Sequence, residues 1–146
     1  MSEVEKAVSC FKEGFMCSQA VLSAYAWQFG MDRETALKVS AAFGGGMGRM
    51  GEVCGAVTGA FMVLGLKYGR TSIQDAKSHE NTNRLVRDFV DKFKSVNGSI
   101  VCRELLGCDL STLDGQKTFV EKKLRDTFCT KFVRDAAEIV ERLISV

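Results

Sequence analysis

The chain has 146 residues, of which 46% are hydrophobic and 26% charged, the composition of an ordinary folded domain and not of a disordered or membrane-embedded chain. Lys and Arg total 20 against 18 for Asp and Glu, scattered apart from the run Glu121-Lys122-Lys123-Leu124-Arg125, so no electrostatic footprint for nucleic acid or an anionic membrane is present. A single domain over residues 1–146 is expected.

No proline occurs, and apolar residues recur at three- and four-residue spacing, which predicts amphipathic helices throughout. The first should run from about Glu3 to Lys12 and stop at Gly14, and the second from about Ser18 to Phe29 and stop at Gly30. Asp32 reads as the N-cap of a third, through Phe43. After the glycine-rich stretch Gly44 to Gly51, no charge falls between Val53 and Leu66. That stretch is too short to span a bilayer and suits a helix buried on every side. Its small residues Gly55 and Gly59, one turn apart, would let neighbouring helices approach closely.

A long helix from about Asp75 to Val96 is predicted next, with Leu85, Val86, Phe89, Val90 and Phe93 on one face and Asn97-Gly98 ending it. A short helix near Val101 to Leu106, a long surface loop from Gly107 to Lys117, and a last helix from about Thr127 to Ile144 follow. The expected fold is all-α, a compact array of about six or seven helices around the buried central one. The start Met1-Ser2-Glu3-Val4-Glu5-Lys6 lacks a basic region followed by an apolar run, which points to the cytoplasm.

Most reactive groups are poorly arranged for chemistry. Gly46-Met47-Gly48-Arg49-Met50-Gly51 satisfies the spacing of a dinucleotide loop, yet a helix precedes it, no strand follows, and no acidic residue stands near Gly69 and Arg70. His79, the only histidine, lies in Lys77-Ser78-His79-Glu80-Asn81, a solvated face. The carboxylates fall on helix exteriors beside lysine and arginine.

The thiols Cys10, Cys17, Cys54, Cys102, Cys108 and Cys129 remain. Such a number in a reducing compartment reads as redox or metal-binding groups, and with no C-x-x-C pair any site must be assembled from separate helices. Cys17, Cys54 and Cys129 are each expected near a helix start, where unpaired N–H groups and the macrodipole favour a thiolate and lower its pKa. The alternative is packing: Cys17 shares a face with Ala20, Val21 and Ala24, and Cys129 with Phe132, Val133, Ala136 and Val140.

The order Phe11-x-x-Gly14-x-x-Cys17-x-Gln19-Ala20-Val21-Leu22, then Cys54-Gly55-Ala56-Val57-Thr58-Gly59, then Cys102-x-Glu104-Leu105-Leu106-Gly107-x-Asp109-Leu110, then Cys129 with Val133 and Ala136-Ala137, resembles the C_GCAxxG_C_C family of redox-active proteins. The resemblance covers nearly the whole chain and carries over Cys17, Cys54, Cys102 and Cys129, leaving Cys10 and Cys108 outside the pattern. It implies a small redox protein. Some members carry twin-arginine leaders, which suggest a prosthetic group such as an iron–sulfur cluster.

The four carried-over cysteines are thus expected to converge, as the catalytic set or as metal ligands, with Cys54 the most reactive thiolate and Cys17 its partner. Gly55, Gly59 and Arg49 are expected beside any cofactor. Reversible disulfide chemistry without a cofactor and an iron–sulfur cluster both fit such a site, and a redox partner protein could serve either. Two other readings stay open: a non-catalytic interaction domain with core cysteines, and an anion- or effector-binding module in which the Gly44 to Gly51 loop and Arg49 form a nest.

Overall fold

A computed structural model describes residues 1–145. The chain is all-α, as its periodicity predicts, with helices α1 (Glu3–Glu13), α2 (Cys17–Ala26), α3 (Arg33–Ser40), α4 (Gly55–Tyr68), α5 (Ala76–Asn97), α6 (Cys102–Leu106), α7 (Leu113–Glu121) and α8 (Thr130–Ile144). Helices α2, α5 and α8 all pack on α4, and α1 lies across α2 and α8. No helix among the described residues is long and apolar enough to cross a membrane.

Local chemistry sets most of these limits. Ser2 accepts from the Glu5 N–H at 3.1 Å to begin α1, and Gly14, at φ +120°, ends it with its own N–H on the Phe11 carbonyl at 3.0 Å. Asp75 caps α5 by accepting from the Ser78 N–H, and Gly98, left-handed at φ +87°, stops it. These are the polar start and glycine stop that leave helix-end donors and acceptors paired.

Helix α4 is buried all round only over its first half. Gly55 to Ala60 are buried, whereas Phe61, Met62 and Leu66 are partly covered and Gly65 and Lys67 are exposed. The close approach expected of its glycines is real. A Cβ on Gly59 would lie 2.9 Å from the Ser18 carbonyl oxygen and 3.1 Å from the Val21 Cβ, so α2 sits directly on the α4 backbone.

Two segments differ from expectation. The predicted loop Gly107 to Lys117 contains the start of α7. Asp109 accepts from the Ser111 N–H and hydroxyl at 2.9 and 2.6 Å, and Thr112 then caps the helix by accepting from the Gly115 N–H at 2.9 Å. Gly115, which suggests a loop in the sequence, lies inside that helix because a Cβ there would come within 1.7 Å of the Asp109 carbonyl oxygen. The last helix starts later than predicted. A wide π-type turn, Arg125–Cys129, leads into α8, with the Thr130 N–H on the Arg125 carbonyl.

Candidate functional site

Cys17, Cys54, Cys102 and Cys129, from four segments far apart in the chain, line one cavity of about 480 Å³. Each is set by a different local device. Cys17 is the first residue of α2, and Cys54 is the N-cap of α4, its carbonyl accepting from the Val57 and Thr58 N–H groups at 3.0 and 3.1 Å. Cys102 opens α6, and Cys129 ends the π turn.

Cys54 and Cys102 are brought together by a feature too short for any periodicity to announce. Val53 and Val101 form an isolated antiparallel bridge. Around it the Cys54 N–H donates to the Ile100 carbonyl at 2.8 Å and the Cys102 N–H to the Glu52 carbonyl at 2.6 Å, so both helix starts hang from the same bridge. Gly46 closes against this corner at φ +71°, where a Cβ would lie 2.7 Å from that of Cys102. On the other side Gly55 admits Cys17, since a Cβ on Gly55 would lie 3.3 Å from the Cys17 Cβ.

The sulfurs are electrostatic neighbours. Cys17 is pushed well above the usual thiol value, first by its hydrogen bond with the Cys129 thiol and then by burial, with Arg125 opposing. Cys54 is pushed up to about 12 by burial and then by Cys17; the Ala56 and Val57 amides pull it down by less. Cys102 is also pushed up to about 12, by burial and then by Cys54. The expectation that helix starts would lower these pKa values is therefore corrected. The helix-start donors act on Cys54 as predicted, but loss of water outweighs them. For Cys129 the premise itself changes, because it lies at the end of a continuous turn and not at a free helix start.

The remaining expected residues divide. Arg49 and Gly55 line the cavity, and Gly59 does not. Gly59 faces the backbone of α2 instead, where it allows the two helices to pack closely. Cys10 lies apart in a separate hollow, 3.7 Å from the Ser23 hydroxyl and 3.9 Å from the Arg33 guanidinium. Cys108 is half-buried and off the cavity wall. The anion nest expected at Gly44 to Gly51 is closed, since the N–H groups of Met47 through Glu52 donate to carbonyls of residues 42 to 47 at 2.8 to 3.3 Å.

The sequence reading missed Lys123 and Arg125, which also line the cavity. Arg125 donates to the Phe11 and Phe15 carbonyls at 2.6 and 2.8 Å and stacks 3.8 Å from the Phe11 ring centroid, tying the π turn to the end of α1. The basic run that holds both residues was visible, but nothing in it showed which cations turn inward. Among the described residues no three Cys, His, Asp or Glu side chains surround a point where one metal ion could sit.

The profile of the family described as "Putative redox-active protein (C_GCAxxG_C_C)" matches residues 15–143. The chain belongs to that family. No curated protein and no solved structure matches it significantly. In this member of the C_GCAxxG_C_C family all six cysteines are free thiols, and Cys17, Cys54, Cys102 and Cys129, the four expected from the sequence to converge, share the cavity.

Proposed function

We propose that the protein carries two electrons by reversible dithiol–disulfide chemistry, with Cys17 and Cys129 as the pair that closes. The observation that carries this reading is that both thiols line one cavity, which also holds Cys54 and Cys102, with the Cys129 thiol the largest influence on Cys17. Cys17, ionised, attacks one sulfur of an external disulfide. The S–S bond of that disulfide breaks, a mixed disulfide forms on Cys17, and the departing thiolate takes a proton. Cys129, ionised in turn, attacks the Cys17 sulfur and releases the second half as a thiol. The chain loses two electrons and two protons, and the external disulfide becomes two thiols. A dithiol partner protein reverses the sequence, and Cys54, next to Cys17, can take over the mixed disulfide.

The test is oxidation of the reduced protein with a small neutral disulfide, then alkylation and non-reducing peptide mapping. A Cys17–Cys129 linked peptide is expected; alkylation of both cysteines as single thiols would overturn the reading. The rate should also climb about tenfold per pH unit from pH 6 to 9, because Cys17, held well above the usual thiol value by the Cys129 thiol and by burial, gains thiolate without reaching a plateau there.

A second reading is favoured by the donor set. Four thiols around a cavity of about 480 Å³ fit an iron–sulfur cluster better than a single ion, and Arg49, Lys123 and Arg125 would offset its negative charge. Cys17, Cys54, Cys102 and Cys129 would hold it, and it would supply one-electron transfer. Iron and acid-labile sulfide in anaerobically purified protein would select this reading over the first.

A further inference from the structure

The cavity wall is asymmetric in charge in a way that disulfide exchange alone does not require. It carries Arg49, Lys123 and Arg125 against one acid, Asp126. Arg125 is committed to the Phe11 and Phe15 carbonyls. Among the described residues, Arg49 and Lys123 make no side-chain hydrogen bond or ion pair. Both are also held at positive φ, +63° and +54°, and only Met47 joins them among the described residues other than glycine. The left-handed region is disfavoured for a residue that bears a side chain. Such strain concentrates where a site needs a particular placement. The two cations approach the cavity from different segments, the glycine loop and the turn after α7, while Leu105, Leu106 and Phe119 supply apolar wall. A space of this size encloses a small molecule and not a folded partner.

The geometry points to a small disulfide with a carboxylate on each half as the electron acceptor of this cavity, Arg49 and Lys123 each pairing with one carboxylate while the apolar wall covers the chain between them. The inference rests on the dithiol reading above and names its substrate class. The chemistry balances as written there: Cys17 and Cys129 are oxidised to a disulfide, and the dicarboxylate disulfide is reduced to two carboxylate-bearing thiols.

The experiment compares the oxidation rates of the reduced protein by dithiodiglycolate, a dianion, by bis(hydroxyethyl) disulfide, which is neutral, and by cystamine, a dication. Each rate is divided by that of the same reagent with free cysteine, which removes intrinsic reactivity. The dianion should exceed the neutral reagent about tenfold, the equivalent of about 1.4 kcal/mol, with the dication slowest. The dianion-to-neutral ratio should fall to within about twofold of unity in the Arg49→Gln, Lys123→Gln double variant and stay high in Lys92→Gln, which removes a positive charge from the exposed face of α5. A ratio near unity in the native protein, or one that survives the double variant, would overturn the inference.

Failure of the dithiol reading shows differently, as no linked peptide with any of the three reagents. Adipate, a dicarboxylate with no disulfide, then reads the binding half independently. It should raise the melting temperature of the native protein and not that of the double variant, and equal shifts in both would refute the site.

Discussion

Gly59→Ala tests whether the helices bearing Cys17 and Cys54 are spaced by a glycine. In a helix interior the exchange alone should stabilise by about 0.8 to 1.0 kcal/mol, because alanine loses less backbone freedom on folding. Against that, the new methyl would lie 2.9 Å from the Ser18 carbonyl oxygen, 3.2 Å from the Ser18 Cα and 3.1 Å from the Val21 Cβ. Two of those atoms are backbone and cannot rotate away, so α2 must move by roughly half an ångström, and overpacking of this kind costs about 1 to 3 kcal/mol. The expected result is a net loss of about 1 kcal/mol. Gly65→Ala is the internal control. It lies in the same helix with nothing within 4 Å of its added Cβ, so it should gain about 0.8 kcal/mol. Urea unfolding under reducing conditions measures both. If Gly59→Ala stabilises as much as Gly65→Ala, α2 does not rest on α4 as described, and the placement of Cys17 against Cys54 falls with it.

Stability should decline in alkali. Cys54 and Cys102, each pushed up to about 12, stay protonated in the folded chain while the unfolded chain ionises near the ordinary thiol value of roughly 8.5. Above that pH the unfolded state binds fewer protons, so the thiol contribution is full below about pH 8.5 and is lost as pH rises towards 12, at about 1.4 kcal/mol per pH unit for each thiol. Urea unfolding at pH 7, 9 and 10 should show it, and Cys54→Ala should flatten the slope by one thiol's share; an unchanged slope counts against the burial of that group. Arg125→Ala should lower stability by about 3 kcal/mol, since it deletes two charged hydrogen bonds and a ring contact. A loss below about 0.5 kcal/mol, the scale of an ordinary surface change, would mean that the guanidinium does not tie the turn to α1. Cys10→Ser and Cys108→Ser should leave the disulfide yield and its pH dependence intact, because neither lines the cavity; loss of the signal in either would redraw the cysteine set.

What could be read in the residues follows the range of the forces involved. Helix limits at Gly14 and Gly98 were legible because capping is settled within a few residues of the cap. The four-cysteine set was legible only as a pattern of spacing, through its resemblance to a family, and the shared cavity follows from packing between distant segments. What could not be read was long-range or singular. The Val53–Val101 bridge is one residue pair with no period. Arg125 meets Phe11 across a separation of 114 residues. Gly115 carries the usual signal of a loop, and only its contact with Asp109 explains why a helix needs it.

The direction of the thiol pKa values shows the same hierarchy in energy. A helix start favours a thiolate by about 0.3 to 1 kcal/mol, up to about 2 in buried geometry. Holding Cys54 at about 12, and not at the ordinary thiol value of roughly 8.5, corresponds to about 5 kcal/mol against the thiolate. Counting residues from a helix start captures the smaller term, and only the packed cavity supplies the larger. The same burial bears on function. A thiol protonated at neutral pH resists adventitious oxidation. Because neighbouring sulfurs are part of what holds these pKa values up, ionising two of them together is unfavourable. Exchange must therefore proceed one thiolate at a time, which is the order the attack by Cys17 and resolution by Cys129 requires.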